Sequence, residues 1–117
     1  MTTKMRRVIV ESPYAGDINN NLRYLRACMR DCLLRGEAPF ASHGLYTQRG
    51  VLRDEVPEER EHGIQAGFAW RQAAEATVVY EDLGRSRGME YGIKHATELG
   101  HPIEYRRLGG EWEQKLP

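Results

Sequence analysis

Residues 6–17 read Arg-Arg-Val-Ile-Val-Glu-Ser-Pro-Tyr-Ala-Gly-Asp, and this stretch decides the fold. A short apolar run closed by proline has the look of a strand buried on both faces. Asp17 then stands where a helix N-cap belongs. Beyond it the apolar positions Leu22, Leu25, Met29, Cys32 and Leu33 step by three, four, three and one. That spacing is one face of a helix running from Ile18 to Arg35, with Gly36 placed to stop it. A buried strand, a tight turn and an amphipathic helix make the first half of a parallel crossover.

The pattern repeats outward from there. Ala38, Pro39, Phe40 and Ala41 predict a short second strand, and proline suits its start or an edge position. Residues 42–56 show no clean period and predict a long loop, which in a small domain is usually functional or mobile. Pro57 with Glu58, Glu59 and Glu61 opens a second helix, because proline and acidic side chains are favoured at a helix start. Its apolar positions carry it through Ile64 and Phe68 to about Ala74. Ala76–Tyr80 is the third strand, 81–88 a loop, and Met89, Ile93, Ala96 and Gly100 one face of a third helix. Ile103–Arg107 is the fourth strand, and residues 109–117 form a polar tail holding Trp112. The order β-α-β-α-β-α-β predicts a three-layer, Rossmann- or flavodoxin-like α/β sandwich. We expect a sheet of four or five mainly parallel strands in the order 2-1-3-4, with all 117 residues in one domain and a core over about residues 6–108.

Composition narrows the function. Lysine plus arginine number 17 and aspartate plus glutamate 17, so the net charge is +0. That balance argues against a nucleic-acid coat, which needs basic excess to displace counterions, and against retention on acidic membranes by charge. The basic start, Met1–Arg7, is followed by only Val8, Ile9 and Val10, too short for a signal-peptide core or a membrane span. The cytoplasm is the default compartment, and Cys28 and Cys32, one helical turn apart, read as packed, reduced thiols. His62, His95 and His101 show no ligand spacing, so neither metal nor cofactor is predicted. A chain of this size buries only about two thirds of its unfolded surface, and zero net charge removes self-repulsion. A homodimer or higher homo-oligomer is therefore expected.

In open parallel sheets, ligands bind beyond the carboxyl ends of the strands. That rule selects 12–17, 42–56 and 81–88. The first loop offers Ser12, Pro13, Tyr14, Gly16 and Asp17 before a helix N-terminus, where free backbone N–H groups hold anions. It lacks G-x-G-x-x-G, and the chain has no Walker loop. Asp17 is a cap first and a ligand second. The last loop places Ser86, Arg87, Gly88 and Met89 at another helix start, with Arg85 close by. Dipole, hydroxyl and guanidinium there would welcome a phosphate or carboxylate. In the middle loop His43 would contact substrate or shuttle a proton. Tyr14, Tyr46 and Trp70 are candidates to stack on a base, although core or subunit interface is the plainer reading of Trp70.

Together VESPYAGD (10–17) with its Asn-rich helix, APFASHGLY (38–46), GFAW (67–70) and ATVVYEDLGRSRGMEYGIKHATELGHPIEYR (76–106) carry a resemblance. They resemble the nucleoside 2-deoxyribosyltransferase-like superfamily. The nearest likeness is to small uncharacterised phage and bacterial members related to 2'-deoxynucleoside 5'-phosphate N-hydrolases. The likeness covers about Arg6–Leu108, and its most specific parts are the SPYAGD loop and Ser86-x-Gly88-Met89. It implies cleavage or exchange of the N-glycosidic bond of a nucleoside or nucleotide, by a glutamate in the helix after the serine-glycine loop. A carboxylate there attacks the anomeric carbon and forms a glycosyl-enzyme.

Under the spacing S-x-G-M-x-x-E that glutamate falls on Gly92. Glu90 is the nearest carboxylate, but two helical residues are about 200° of rotation, which points it nearly the other way. Asp82, at a strand's carboxyl end, is the second catalytic candidate, as a base or a ribose contact. Three functions stay open: a nucleotide N-glycosidase or deoxyribosyltransferase, a non-catalytic binder that sequesters or senses a nucleotide-derived signal, and an interaction domain without a small ligand. The two glycine-serine loops count against the third, and Gly92 against the first. The expected partner is a nucleotide-like small molecule, with no nucleic acid and no membrane.

Overall fold

A computed structural model describes residues 4–117. Four strands, β1 (Arg6–Glu11), β2 (Glu37–Phe40), β3 (Ala76–Tyr80) and β4 (Ile103–Arg106), form one parallel sheet in the order β2-β1-β3-β4. Val8 lies opposite Pro39 on one side and Ala76 on the other, and Thr77 lies opposite Ile103. β2 is an edge strand, which is where its Pro39 is tolerated, since a proline cannot donate to two ladders. β3 is buried along its whole length, as a continuous apolar strand between two layers must be.

Alternation along β1 divides the two faces. Val8 and Val10 join Ala76, Val78 and Tyr80 against Tyr24, Leu25, Cys28 and Cys32 of helix α1 (Ile18–Leu34). Each such aliphatic side chain, once removed from water, contributes about 1.5–3 kcal/mol. Ile9 and Glu11 point to the opposite layer, built from α3 (Pro57–Arg71) and α4 (Arg87–Glu98), where Val79, Met89 and Ile93 make a smaller core. Both cysteines are buried and unpaired, and burial raises both thiols above their usual range. No helix among the described residues is long and apolar enough to cross a membrane.

The helix boundaries follow local chemistry. Asp17 caps α1 by accepting from the Asn20 N–H at 3.3 Å, and Gly36 follows the helix at φ +82, a conformation that costs other residues a clash. Ser86 caps α4, accepting from the Met89 N–H at 3.2 Å, while the Met89 sulfur accepts from the Ser86 N–H at 3.4 Å.

Several boundaries differ from expectation. β2 begins at Glu37 and ends at Phe40, α3 ends at Arg71, and β4 ends at Arg106. The loop over 42–56 opens with a short helix, α2 (Ser42–Leu45), held close to α3 by small residues. A Cβ added at Gly67 would fall 2.7 Å from Ser42 Oγ. The tail is not merely polar. A 3-10 turn, Trp112–Lys115, lays Trp112 edge-on to Tyr24 with ring centroids 5.2 Å apart.

Candidate functional site

The carboxyl ends of β1 and β2 open into a cavity of about 590 Å³. Ile9, Glu11, Ser12 and Phe40 form its floor, Ile64, Phe68 and Arg71 of α3 one wall, and Ser86–Met89 with Tyr91 and Gly92 of α4 another. Tyr14 and the segment from Tyr46 to Asp54 overhang it. The loop that carries Tyr14 is pinned from below. The buried Asn21 amide donates to the carbonyls of Tyr14 at 2.9 Å and Ala15 at 3.0 Å.

The floor holds a buried charged pair, Arg71 with Glu11. Arg71, only 1% exposed, donates from Nε to Thr77 Oγ1 at 3.1 Å and from NH1 to the Gly92 carbonyl at 3.0 Å and His95 Nδ1 at 2.8 Å. Its NH2 donates to Glu11 Oε2. Because His95 Nδ1 accepts from arginine, the imidazole is neutral with its proton on Nε2. Burial first, then the Arg71 charge, lowers its pKa. Its ring stacks on Phe68 at 3.8 Å between centroids. Burial pushes the Glu11 carboxyl up to about 7, although the Arg71 guanidinium pulls the other way.

Beside this pair, Ser12 Oγ lies 2.7 Å from His43 Nε2. Burial lowers His43 to about 4, so the imidazole is neutral at ordinary pH and exchanges a hydrogen bond, not a charge, with Ser12.

The cavity gathers Ser12, Tyr14, His43, Tyr46, Ser86, Arg87, Gly88 and Met89, eight of the residues expected from sequence. Pro13, Gly16 and Asp17 are not in its wall, because they form the turn and cap beneath it. Neither expected catalytic carboxylate lines it. Glu90, on the outer side of α4, is 56% exposed and 3.7 Å from Arg85 NH1. Asp82 is spent on structure: it accepts from Tyr24 Oη at 2.5 Å, the Leu108 N–H at 2.8 Å and the Gly109 N–H at 2.9 Å. Trp70 is 53% exposed, neither core nor cavity wall, and donates from Nε1 to Tyr46 Oη at 2.9 Å. Among the described residues no cluster of three or more His, Cys, Asp or Glu side chains is placed to hold a metal.

Sequence reading missed Glu11, Arg71 and Phe68. The available signal was a charged residue at each buried end: Glu11 closes an apolar strand and Arg71 ends a helix. A second finding concerns Gly92. A Cβ built there would fall 2.6 Å from Glu11 Oε1 and 2.5 Å from its Cδ. The strand-borne carboxylate fills the space that a side chain at 92 would take.

This three-layer arrangement, with a cavity at the strand ends, is the 2-deoxyribosyltransferase-like fold. Among solved structures the chain is similar to the 2-deoxyribosyltransferase of Bacillus psychrosaccharolyticus, with a TM-score of 0.68 at 15% identity over 90% of this chain and 74% of that one. At that identity the likeness is one of fold. Residues 6–106 match a family described as a domain of unknown function (DUF7768), and the chain belongs to that family. No curated protein matches the sequence.

Proposed function

We propose that this domain binds a nucleoside or nucleotide in the cavity at the ends of β1 and β2 and cleaves or exchanges its N-glycosidic bond. One observation carries the reading: a single hollow of about 590 Å³ joins aromatic walls, a capped helix N-terminus and a buried carboxylate. Phe40, Phe68 and Tyr91 offer faces and edges to a base. Ser86 and Arg87 at the start of α4 offer hydroxyl, dipole and guanidinium to an anionic group. The size suits one ligand of that class. The 2-deoxyribosyltransferase fold supports the same class of substrate. A second copy of the chain closing the open side belongs to this reading, and sedimentation measures it.

A specific observation favours one other reading. Residue 92 is glycine and Glu90 faces solvent, so α4 brings no carboxylate to the cavity. The same hollow without chemistry would sequester or sense a nucleotide-derived signal. Calorimetry with deoxynucleosides, their monophosphates and cyclic nucleotides tests both, with chromatography of the mixtures for free base. Binding with base release is expected. Binding alone selects the sensor, and no binding at millimolar ligand overturns both.

A further inference from the structure

The glycosidic reading needs a carboxylate at the anomeric carbon, and α4 supplies none. Three acidic side chains line the cavity: Glu11, Asp54 and Glu59. Glu59 is engaged at the rim, accepting from the Arg53 N–H at 3.0 Å and lying 3.3 Å from its Nε. Asp54 sits on the overhanging loop. Only Glu11 stands on the floor, on a strand hydrogen-bonded to both neighbours.

We propose that Glu11, delivered from β1, is the nucleophile of this domain and replaces a carboxylate at position 92. The proposal rests on the glycosidic reading above and adds the residue that performs it. The first support is steric. The Glu11 carboxylate occupies the place of a Cβ at 92, so carboxylates from the strand and from the helix exclude one another, and glycine makes the room.

The second support is the inequality of its oxygens. Oε2 accepts from Arg71, whereas Oε1 accepts from no donor among the described residues. No polar side-chain atom among the described residues is buried without a partner, so Oε1 keeps some solvent exposure, and Glu11 lines the cavity. The third is rigidity. Arg71 is itself held by Thr77, Gly92 and His95, so the carboxylate is aimed before a ligand arrives. Desolvation outweighs the arginine at Glu11, which leaves the anion less stabilised and more reactive than a solvated ion pair.

The step balances as follows. Oε1 bonds to the anomeric carbon of a 2-deoxyribosyl group as the carbon–nitrogen bond breaks. The bonding pair leaves on the base, which takes a proton from water at the cavity mouth. Water, or the nitrogen of a second base, then attacks the same carbon. Its proton goes to solvent, and Glu11 is released as carboxylate.

The test uses the full chain, a panel of 2'-deoxynucleosides and their monophosphates, and a 2-fluoro-arabinosyl nucleoside as trap. Glu11→Gln should lower base release at least about 1,000-fold while calorimetry finds affinity within about tenfold of wild type. Should Glu11→Gln fail to fold with Arg71 unpaired, trapping of the wild type decides. The wild type should gain the mass of one fluoropentosyl group, on the peptide holding Glu11. A label on the Glu90 or Asp82 peptide, no label despite base release, or base release by Glu11→Gln within tenfold of wild type overturns Glu11 alone. No base release by the wild type from any member of the panel overturns Glu11 together with the glycosidic reading.

Discussion

Arg71 is the residue on which the candidate site turns. One guanidinium reaches four groups on β1, β3 and α4 from the end of α3, and that geometry suits its planar fork of donors. The polar chain continues behind it. His101 Nε2 lies 2.9 Å from the Ala74 carbonyl and so donates to it. Its Nδ1 then accepts from Thr77 Oγ1 at 2.9 Å, which leaves that oxygen to accept from Arg71. Gly92 is the partner residue of this arrangement. In an open helix, replacing glycine by alanine would stabilise by up to about 1 kcal/mol. Here the added methyl meets the Glu11 carboxylate, and overpacking of that kind costs about 1–3 kcal/mol. We expect Gly92→Ala to lower stability in urea by up to about 2 kcal/mol net. Gly88→Ala, whose Cβ would meet nothing nearer than Ser86 Oγ at 3.9 Å, should not. Equal midpoints for the two variants would contradict the crowding at 92.

At the scale of elements, the loop after β3 does two jobs with neighbouring residues. Ser86 starts α4 and brings its N-terminus to the cavity, while Asp82 ties the chain end to the opposite layer. Asp82 accepts from Tyr24 of α1 and from the backbone just after β4, and its pKa is held below the usual range, desolvation being outweighed by those hydrogen bonds. Asp82→Ala leaves a phenol and two backbone N–H groups without their acceptor, so a loss of about 2–4 kcal/mol is expected. Hydrogen exchange should accelerate from Leu108 to Leu116, where the turn packs Trp112 onto Tyr24. Unchanged exchange there would show that the tail is held without Asp82. The sequence placed Asp82 correctly at the end of a strand. What it could not disclose was the consumer of its lone pairs, because Tyr24 and Leu108 come from the two ends of the chain.

Across the whole molecule, neutrality hides a charged lattice beneath α1. Arg106 of β4 meets Glu37 of β2 through two bonds of 2.8 Å, with both side chains under one tenth exposed. It also donates to Tyr80 Oη at 3.1 Å and to Glu104 at 2.9 Å, and Tyr80 donates to Asp31 at 2.7 Å. The two edge strands are thereby linked across the sheet. Arg106→Ala leaves the buried Glu37 only the half-exposed Arg6, 3.4 Å away, and should cost up to about 3–5 kcal/mol, whereas replacing both partners by methionine should cost far less. Acid gives the same answer independently. Arg106 holds Glu37 below its usual value of 4.5, so the contribution is complete above that pH and is lost as pH falls through the lowered value. The Arg106→Ala variant should show a smaller loss of stability in urea over that acid range than wild type. An identical acid slope for the two proteins would remove Glu37 from the acid transition.

The sequence by itself determined the parallel α/β architecture, the strand order, the caps at Asp17 and Ser86, and the end of the sheet where the cavity lies. Those are local or periodic properties: apolar alternation, helical spacing and turn chemistry are written within a dozen residues. It also carried glycine at position 92, where the resemblance implies a glutamate, since an absence at a fixed spacing is legible. Only the tertiary structure decided which carboxylate stands there. Glu11 reads in sequence as the last residue of a strand, Arg71 as the end of a helix, and Gly92 as a gap. Their meeting depends on three elements packing to within a side chain's length. Glu90 and Asp82 fell out of the site for the same reason, because rotation about a helix axis and partners from distant segments are set by packing, not by proximity in the chain.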